Sequence, residues 1–149
     1  METLKKWLND FEYDNTTKYP FKEFKHHIKL NEFNYNKLIQ KCLQNNNYEE
    51  KPYKKWFLFE NPEKKVKVYL IEWGSGHVSP YHTHTSGGCF LCLLKGEYLM
   101  EFKRNKDGQQ LPTNLLMEHN IGFMHNDYGT HKIKNQNHNK VYSLHFYCS

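Results

Sequence analysis

Hydrophobic positions follow two different periods along the chain, and the change comes near residue 50. Before it, large apolar side chains recur every three or four residues, the spacing of one face of a helix. Three helices are predicted, with apolar faces at Leu4, Trp7, Leu8 and Phe11, at Phe21, Phe24 and Ile28, and at Leu38, Ile39, Cys42 and Leu43. The second can begin at Pro20, because proline fits the first turn. The asparagines at 45–47 are predicted to end the third.

Beyond residue 50, short apolar runs are separated by turn residues such as Asn61-Pro62 and Lys106-Asp107-Gly108. The predicted strands are 56–59, 66–73, 81–84, 90–94, 98–102, 121–124, 131–134 and 141–147. Many short strands with regular turns favour a sandwich or barrel. The length of 149 residues is typical of one domain. We therefore expect a mostly β single domain over 1–149, with a helical N-terminal cap over 1–50 and a β-barrel over 51–149.

The net charge of +5 reflects lysines scattered over the chain. Nucleic-acid binding typically uses a clustered basic stripe with interleaved aromatic residues, and no such stripe is visible. No stretch approaches the ~20 apolar residues of a membrane span, and the first residues lack the apolar core of a signal peptide. We expect neither a nucleic-acid nor a membrane partner, and a cytoplasmic location.

The four cysteines show no disulfide framework, which agrees with a reducing compartment. Cys89 and Cys92 form a C-x-x-C pair. Their odd separation would send the two thiols to opposite faces of a strand. A redox or zinc role for this pair is therefore not expected, and Cys92 is predicted to lie in the core.

Residues 76–96 carry the main chemical motif, in which His82 and His84 stand two apart and Cys89 follows five residues later. Side chains at i and i+2 share one face of a strand, so both imidazoles could reach one ion inside a barrel. Imidazole suits Fe, Zn, Cu or Ni better than Mg or Ca. The motif therefore predicts a transition-metal site.

The spacing Gly76-x5-His82-x-His84-x4-Cys89-x6-Gly96 resembles the first motif of the cupin superfamily, except that Cys89 stands where the usual pattern has glutamate. That substitution resembles the cysteine dioxygenase family. The segment 127–135 resembles the second cupin motif and contains His131. Near the end, Ser143, His145 and Tyr147 alternate and would share one strand face, which matches a trio found in the same family.

The resemblance implies a cupin double-stranded β-helix barrel. It also implies an enzyme, a non-heme thiol dioxygenase of cysteine catabolism that oxidises L-cysteine with O2 to cysteine sulfinate. In this interpretation Fe(2+) is bound by His82, His84 and His131. Tyr147 is oriented by a hydrogen-bonded relay with His145 and Ser143, and becomes joined to Cys89 by a thioether bond. We expect a monomer.

One departure from the family pattern concerns the substrate carboxylate. Relatives that take free cysteine bind it with an arginine, whereas this chain has Lys55 at the matching position, with a register uncertain by one residue. Lysine supplies charge without the bidentate fork of a guanidinium. Tyr53 matches a substrate-contacting tyrosine; it and Trp73 could equally be packing residues. The chain ends soon after Tyr147, where relatives continue, which suggests a more open pocket.

Alternatives to this interpretation remain open. The thiol could be 3-mercaptopropionate, cysteamine or the N-terminal cysteine of a peptide. Lys55 distinguishes substrates with a free carboxylate, which need a cation, from cysteamine, which has no carboxylate. A non-catalytic metal-binding cupin that senses a ligand would have no need for Cys89 and Tyr147. Three histidines also describe hydrolytic zinc sites, but no general base is evident beside the metal.

Overall fold

The computed structural model describes residues 1–44 and 51–149. Within these ranges the chain forms two α-helices, α1 (Glu2–Asp10) and α2 (Tyr35–Leu43), and short 3-10 helices at Lys22–His27, Leu30–Glu32 and Asn126–Tyr128. The strands are β1 (Tyr53–Asn61), β2 (Val66–Trp73), β3 (Gly88–Lys95), β4 (Tyr98–Arg104), β5 (Asn114–Met117), β6 (Ile121–Met124), β7 (Thr130–Lys134) and β8 (Val141–Cys148). No helix in the described ranges has the length and apolar content needed to cross a membrane.

The N-terminal helices follow the predicted pattern with one difference. Helix α2 begins after Asn34, whose side chain accepts a hydrogen bond from the Lys37 amide at 3.1 Å, as N-cap residues do. The second predicted helix is a 3-10 helix that starts at Lys22 rather than Pro20. Phe21 and Phe24 are three residues apart, and that spacing also places them on one side of a 3-10 helix. The predicted helix end at 45–47 and the predicted boundary at residue 50 lie outside the described residues.

The described strands form a five-stranded sheet, ordered β1-β2-β8-β3-β6, and a three-stranded sheet, ordered β5-β4-β7. All neighbouring strands are antiparallel. The strand predicted at 81–84 is wrong: this segment makes only a single bridge, between His82 and His131. Strand β5 was not predicted. Its Leu115 and Met117 are largely exposed and only Leu116 is buried, so the segment lacks a clear apolar face.

The three central strands of the larger sheet, β2, β8 and β3, bury both of their faces. One face packs against the N-terminal helices, with residues such as Leu70, Cys92 and Phe146 in contact with that core. The other face turns toward the smaller sheet. Because successive side chains of a strand alternate between faces, Cys92 lies in the helix-side core while Cys89 lines the interior, as predicted.

The turn that leads into β7 depends on Gly129, whose backbone has a positive φ of 111°. A Cβ atom at this position would overlap the Arg104 carbonyl oxygen. Gly108 also has a positive φ, of 79°, but a Cβ atom there would meet nothing within 4 Å.

We expect Gly129→Ala to lower the free energy of unfolding several-fold more than Gly108→Ala, which should cost about 1 kcal/mol for its left-handed backbone. Chemical denaturation of both variants measures the difference. Equal losses would show that the close approach to Arg104 is not a constraint on this turn.

Candidate metal centre

A cavity of about 490 Å³ lies between the two sheets. This volume is in the range of about 300–1,000 Å³ that is typical of small-molecule sites. Both sheets contribute to its walls, which carry apolar side chains together with imidazole, thiol, phenol and carboxylate groups. The predicted site residues Tyr53, Lys55, His82, His84, Cys89, His131, His145 and Tyr147 all line it.

Three imidazoles meet in this cavity, and we call His82, His84 and His131 the three-histidine cluster. His131 lies on β7, and the other two lie on the segment between β2 and β3. One ligand nitrogen from each lies within 4.8 Å of the others. The main-chain bridge between His82 and His131, rather than a regular strand, brings the two segments together.

The hydrogen bonds around His82 and His131 fix which nitrogen of each ring faces the cluster. His82 Nδ1 is 2.9 Å from the Pro80 carbonyl oxygen, and His131 Nδ1 is 2.8 Å from Glu101 Oε2. Both partners are acceptors, so each Nδ1 carries the hydrogen. In the neutral rings the two Nε2 lone pairs then face each other at 3.1 Å. Two ligands about 2.1 Å from one ion and at right angles lie about 3 Å apart, so this pair fits a shared cation.

The third imidazole, His84, also has the character of a metal ligand. Its Nδ1 is buried and has no hydrogen-bond partner among the described residues. Burial and the neighbouring imidazoles of His131 and His82 lower the pKa of His84 to about 3, and burial also lowers the pKa of His82. Neutral imidazole is the form that binds metals. The cluster therefore fits a transition-metal ion.

Cys89 and Tyr147 are direct partners in the antiparallel pairing of β3 with β8. Both line the cavity. Burial raises the pKa of the Cys89 thiol to about 12 and also raises the pKa of Tyr147. Cys89 is therefore an uncharged thiol at neutral pH, outside the three-histidine cluster but beside the phenol ring.

The predicted relay is present at its first link but not at its second. Ser143 Oγ is 2.8 Å from His145 Nε2. The ring of His145 stacks on that of Tyr147 at 5.9 Å between centroids, without a hydrogen bond between them in the described structure. Trp73 adds a link that was not predicted, since its Nε1–H donates to Ser143 Oγ at 2.8 Å.

This added link occupies one acceptor position of the Ser143 hydroxyl, because the indole can only donate. Burial holds the pKa of His145 well below its usual value. The Nδ1 atom of His145 lies 4.0 Å from Cys89 Sγ. His145 is therefore directed at the thiol as well as stacked on the tyrosine.

Lys55 reaches the same end of the cavity from β1. Its ammonium lies 3.4 Å from Tyr147 Oη and over the rings of Tyr69 and Tyr147, at 4.2 and 4.4 Å from their centroids. It is the only lysine or arginine among the described cavity-lining residues. Lys54 does not line the cavity and lies over the Trp56 ring, so only Lys55 of these two lysines reaches the cavity.

The family model described as cysteine dioxygenase type I matches residues 43–149 of this chain. The chain belongs to the cysteine dioxygenase type I family. The cysteine dioxygenase type 1 proteins of Rattus norvegicus and Homo sapiens are 30% and 29% identical to it over 96 residues. Each match covers 60% of this chain and 48% of the relative. The chain thus matches about half the length of these curated relatives.

Solved structures agree on the fold of this cysteine dioxygenase family member. A cupin domain of an XRE family transcriptional regulator from Enterobacter cloacae superposes with a TM-score of 0.53 at 18% identity, covering 66% of this chain and 98% of that one. An oxalate oxidase in complex with the substrate analogue glycolate gives a TM-score of 0.54 at 15% identity, covering 70% and 54%. At these identities the likeness shows the fold alone, and it confirms the predicted cupin barrel.

Two residues that support the cluster in this cysteine dioxygenase family chain were missed from the sequence. Asn126 clamps the backbone of His84 by two hydrogen bonds of 2.8 Å. Glu101 is buried against His131; burial raises the pKa of its carboxyl, but the His131 hydrogen bond and the Lys103 charge outweigh that effect, so the pKa is lowered. The sequence did contain a signal for Glu101. It lies two residues after the apolar Leu99, so both side chains are on the same face of the strand, where a charged residue is unusual.

We expect His82→Ala or His131→Ala to lose most bound metal, because each removes one nitrogen of the cluster. Metal analysis after anaerobic reconstitution with ferrous iron measures the loss. His77→Ala is the matched control, since His77 lines the same cavity but stacks on Tyr53 outside the cluster. Stoichiometric iron in either cluster variant would contradict the assignment.

Proposed function

We propose that the protein is an iron-dependent thiol dioxygenase that oxidises L-cysteine with O2 to cysteine sulfinate. The observation that carries this proposal is the cluster of three histidines in a cavity that is also lined by the Lys55 ammonium and the Tyr147 phenol. Membership of the cysteine dioxygenase type I family supports it. We further propose that the enzyme acts as a cytoplasmic monomer.

His82, His84 and His131 would hold the iron in this proposal. When bound, ferrous iron would supply open coordination positions for the thiol and for dioxygen, while the thiol sulfur itself would supply the electrons that reduce dioxygen as the sulfinic acid forms. Both oxygen atoms of O2 enter the product, so the reaction needs no other reductant. The protein's task is to hold the thiol beside the cluster and to bind the rest of the substrate.

Lys55 and Tyr147 together form the carboxylate-binding end of the cavity. The Lys55 ammonium donates to Tyr147 Oη, so the tyrosine keeps its own hydrogen for another acceptor. The raised pKa of Tyr147 keeps the phenol protonated. A substrate carboxylate at this position could accept hydrogen bonds from both groups. Tyr53 packs at the edge of Trp73 and stacks on His77, so it shapes the cavity wall beside them.

This arrangement favours a thiol that carries a carboxylate. L-Cysteine and 3-mercaptopropionate both have one, whereas cysteamine offers no anion to Lys55. Burial lowers the pKa of Lys55, and an anionic partner would offset that cost. Cysteamine is therefore expected to be the poorest of the three substrates.

We expect Lys55→Met to raise KM for cysteine roughly tenfold or more, since it removes a charged contact of about 1.4 kcal/mol or more. Oxygen uptake and sulfinate formation with cysteine, 3-mercaptopropionate and cysteamine measure this directly. Lys54→Met is the matched control, because Lys54 lies outside the cavity. Unchanged cysteine kinetics in Lys55→Met would remove free cysteine as the proposed substrate, and impaired kinetics in Lys54→Met alone would contradict the register.

We also propose that a thioether bond joins Cys89 to Tyr147. The new carbon–sulfur bond replaces the S–H bond of Cys89 and a ring C–H bond of Tyr147. Dioxygen, the co-substrate of the proposed reaction, would take up the two electrons and two protons. The direct pairing of the two residues across β3 and β8 supports the bond, and the linked ring would hold its hydroxyl without reorganisation during the reaction.

Turnover with iron and oxygen should lower the intact mass by two hydrogen atoms and link the two peptides after proteolysis. We expect Cys89→Ser to keep the fold and lose part of the activity, because the tyrosine is then held less firmly. Tyr147→Phe should lose more, because it lacks the hydroxyl. Full activity in Tyr147→Phe would show that this residue is only barrel packing.

A further inference from the structure

Glu101 is a buried carboxylate that lies behind one imidazole of the three-histidine cluster. Its side chain is only 4% exposed. Its Oε2 is 2.8 Å from His131 Nδ1, on the opposite edge of the ring from the Nε2 that faces His82. The carboxylate is thus separated from the ligand atoms by the ring itself, and it is not part of the metal-binding group.

Strand pairing holds this carboxylate from three sides. On β4, Glu101 is the direct partner of Asn114 on β5, while Lys103 is the direct partner of His131 on β7. Residues two apart share a strand face, so Glu101 lies diagonally opposite His131. Asn114 Nδ2 donates to Oε1 at 3.2 Å, and Lys103 Nζ lies 3.4 Å from the same oxygen. Oε1 is thereby occupied, and Oε2 is left to His131.

This arrangement does not fit a direct metal ligand, which would need a Glu101 oxygen on the Nε2 side of His131. Glu101 is among the residues that line the cavity, but its contacts are with His131, Asn114 and Lys103. A buried carboxylate is also costly unless it is paired, so a role toward His131 is the one the contacts support.

We propose that Glu101 is a positioning residue for the metal: its carboxylate fixes the Nδ1–H tautomer of His131 and strengthens Nε2 as a ligand. Three neutral histidines alone leave a divalent ion with its full charge. Glu101 adds one negative charge one ring away, which favours metal binding and stabilises the ferric state relative to the ferrous state. Carboxylate partners of this kind raise the basicity of a ligating histidine, and their loss typically costs about 10–100-fold in metal affinity.

Two substitutions separate the charge from the hydrogen bond. Glu101→Gln keeps an oxygen that can accept from His131 but removes the charge, and Glu101→Leu removes both. Glu72→Gln is the matched control: Glu72 is also fully buried and accepts a hydrogen bond from Tyr142 at 2.7 Å, but it does not line the cavity. All four proteins, including the native chain, are compared in full length.

The experiment measures ferrous iron affinity by anaerobic competition with a chelating dye, together with the ferric/ferrous midpoint potential. We expect affinity to fall about tenfold in Glu101→Gln and about 100-fold in Glu101→Leu, with a higher midpoint potential in Glu101→Gln. Glu72→Gln should match the native protein in both measurements. If Glu101→Leu does not fold, Glu101→Gln carries the test alone.

Native affinity and potential in Glu101→Gln would overturn the proposal, as would an equal loss in Glu72→Gln, which would indicate a general effect of removing a buried charge. The inference rests on the proposed metal site, and the two can fail separately. A native chain that binds no iron contradicts the proposed function, whereas a native chain that binds iron no better than Glu101→Gln contradicts only the role of Glu101.

Discussion

The site depends on one constraint, the burial of both faces of strand β8 and its neighbours β2 and β3. Their helix-side residues pack against the N-terminal helices, which holds the five-stranded sheet rigidly in register. Strict alternation then sends Ser143, His145 and Tyr147 to the interior. A slip of one residue would send all three into the apolar helix-side core, so the packing that stabilises the fold also positions the relay.

The three-histidine cluster is stabilised by what surrounds it rather than by its own members. Burial and the neighbouring imidazoles lower the pKa of His84, and the Nε2 atoms of His82 and His131 face each other at 3.1 Å. Hydrogen bonds that the His82 and His131 rings donate to the Pro80 carbonyl and the Glu101 carboxylate fix the rings in that arrangement. The protein thus holds the three rings in a geometry that a divalent ion would complete.

Sequence periodicity predicted the parts of the structure that depend on alternation, such as the opposite faces of Cys89 and Cys92 and the shared face of β8. Periodicity did not predict the features that depend on contacts between residues far apart in the sequence. The histidine segment at 81–84 is held by one bridge and by Asn126 rather than by a strand, and the Trp73 link to Ser143 joins residues 70 positions apart. The Tyr147 hydroxyl accepts a hydrogen bond from Lys55 on β1, while its ring stacks on that of His145.

We propose that the iron-loaded protein transfers both atoms of dioxygen to a carboxylate-bearing thiol bound beside these histidines. The most direct measurement is mass spectrometry of the product formed from cysteine by the iron-loaded protein under ¹⁸O₂ in ordinary water. The account predicts cysteine sulfinate that carries two labelled oxygen atoms, formed in step with oxygen uptake. Cystine with hydrogen peroxide, or sulfinate that carries unlabelled oxygen from water, would contradict it.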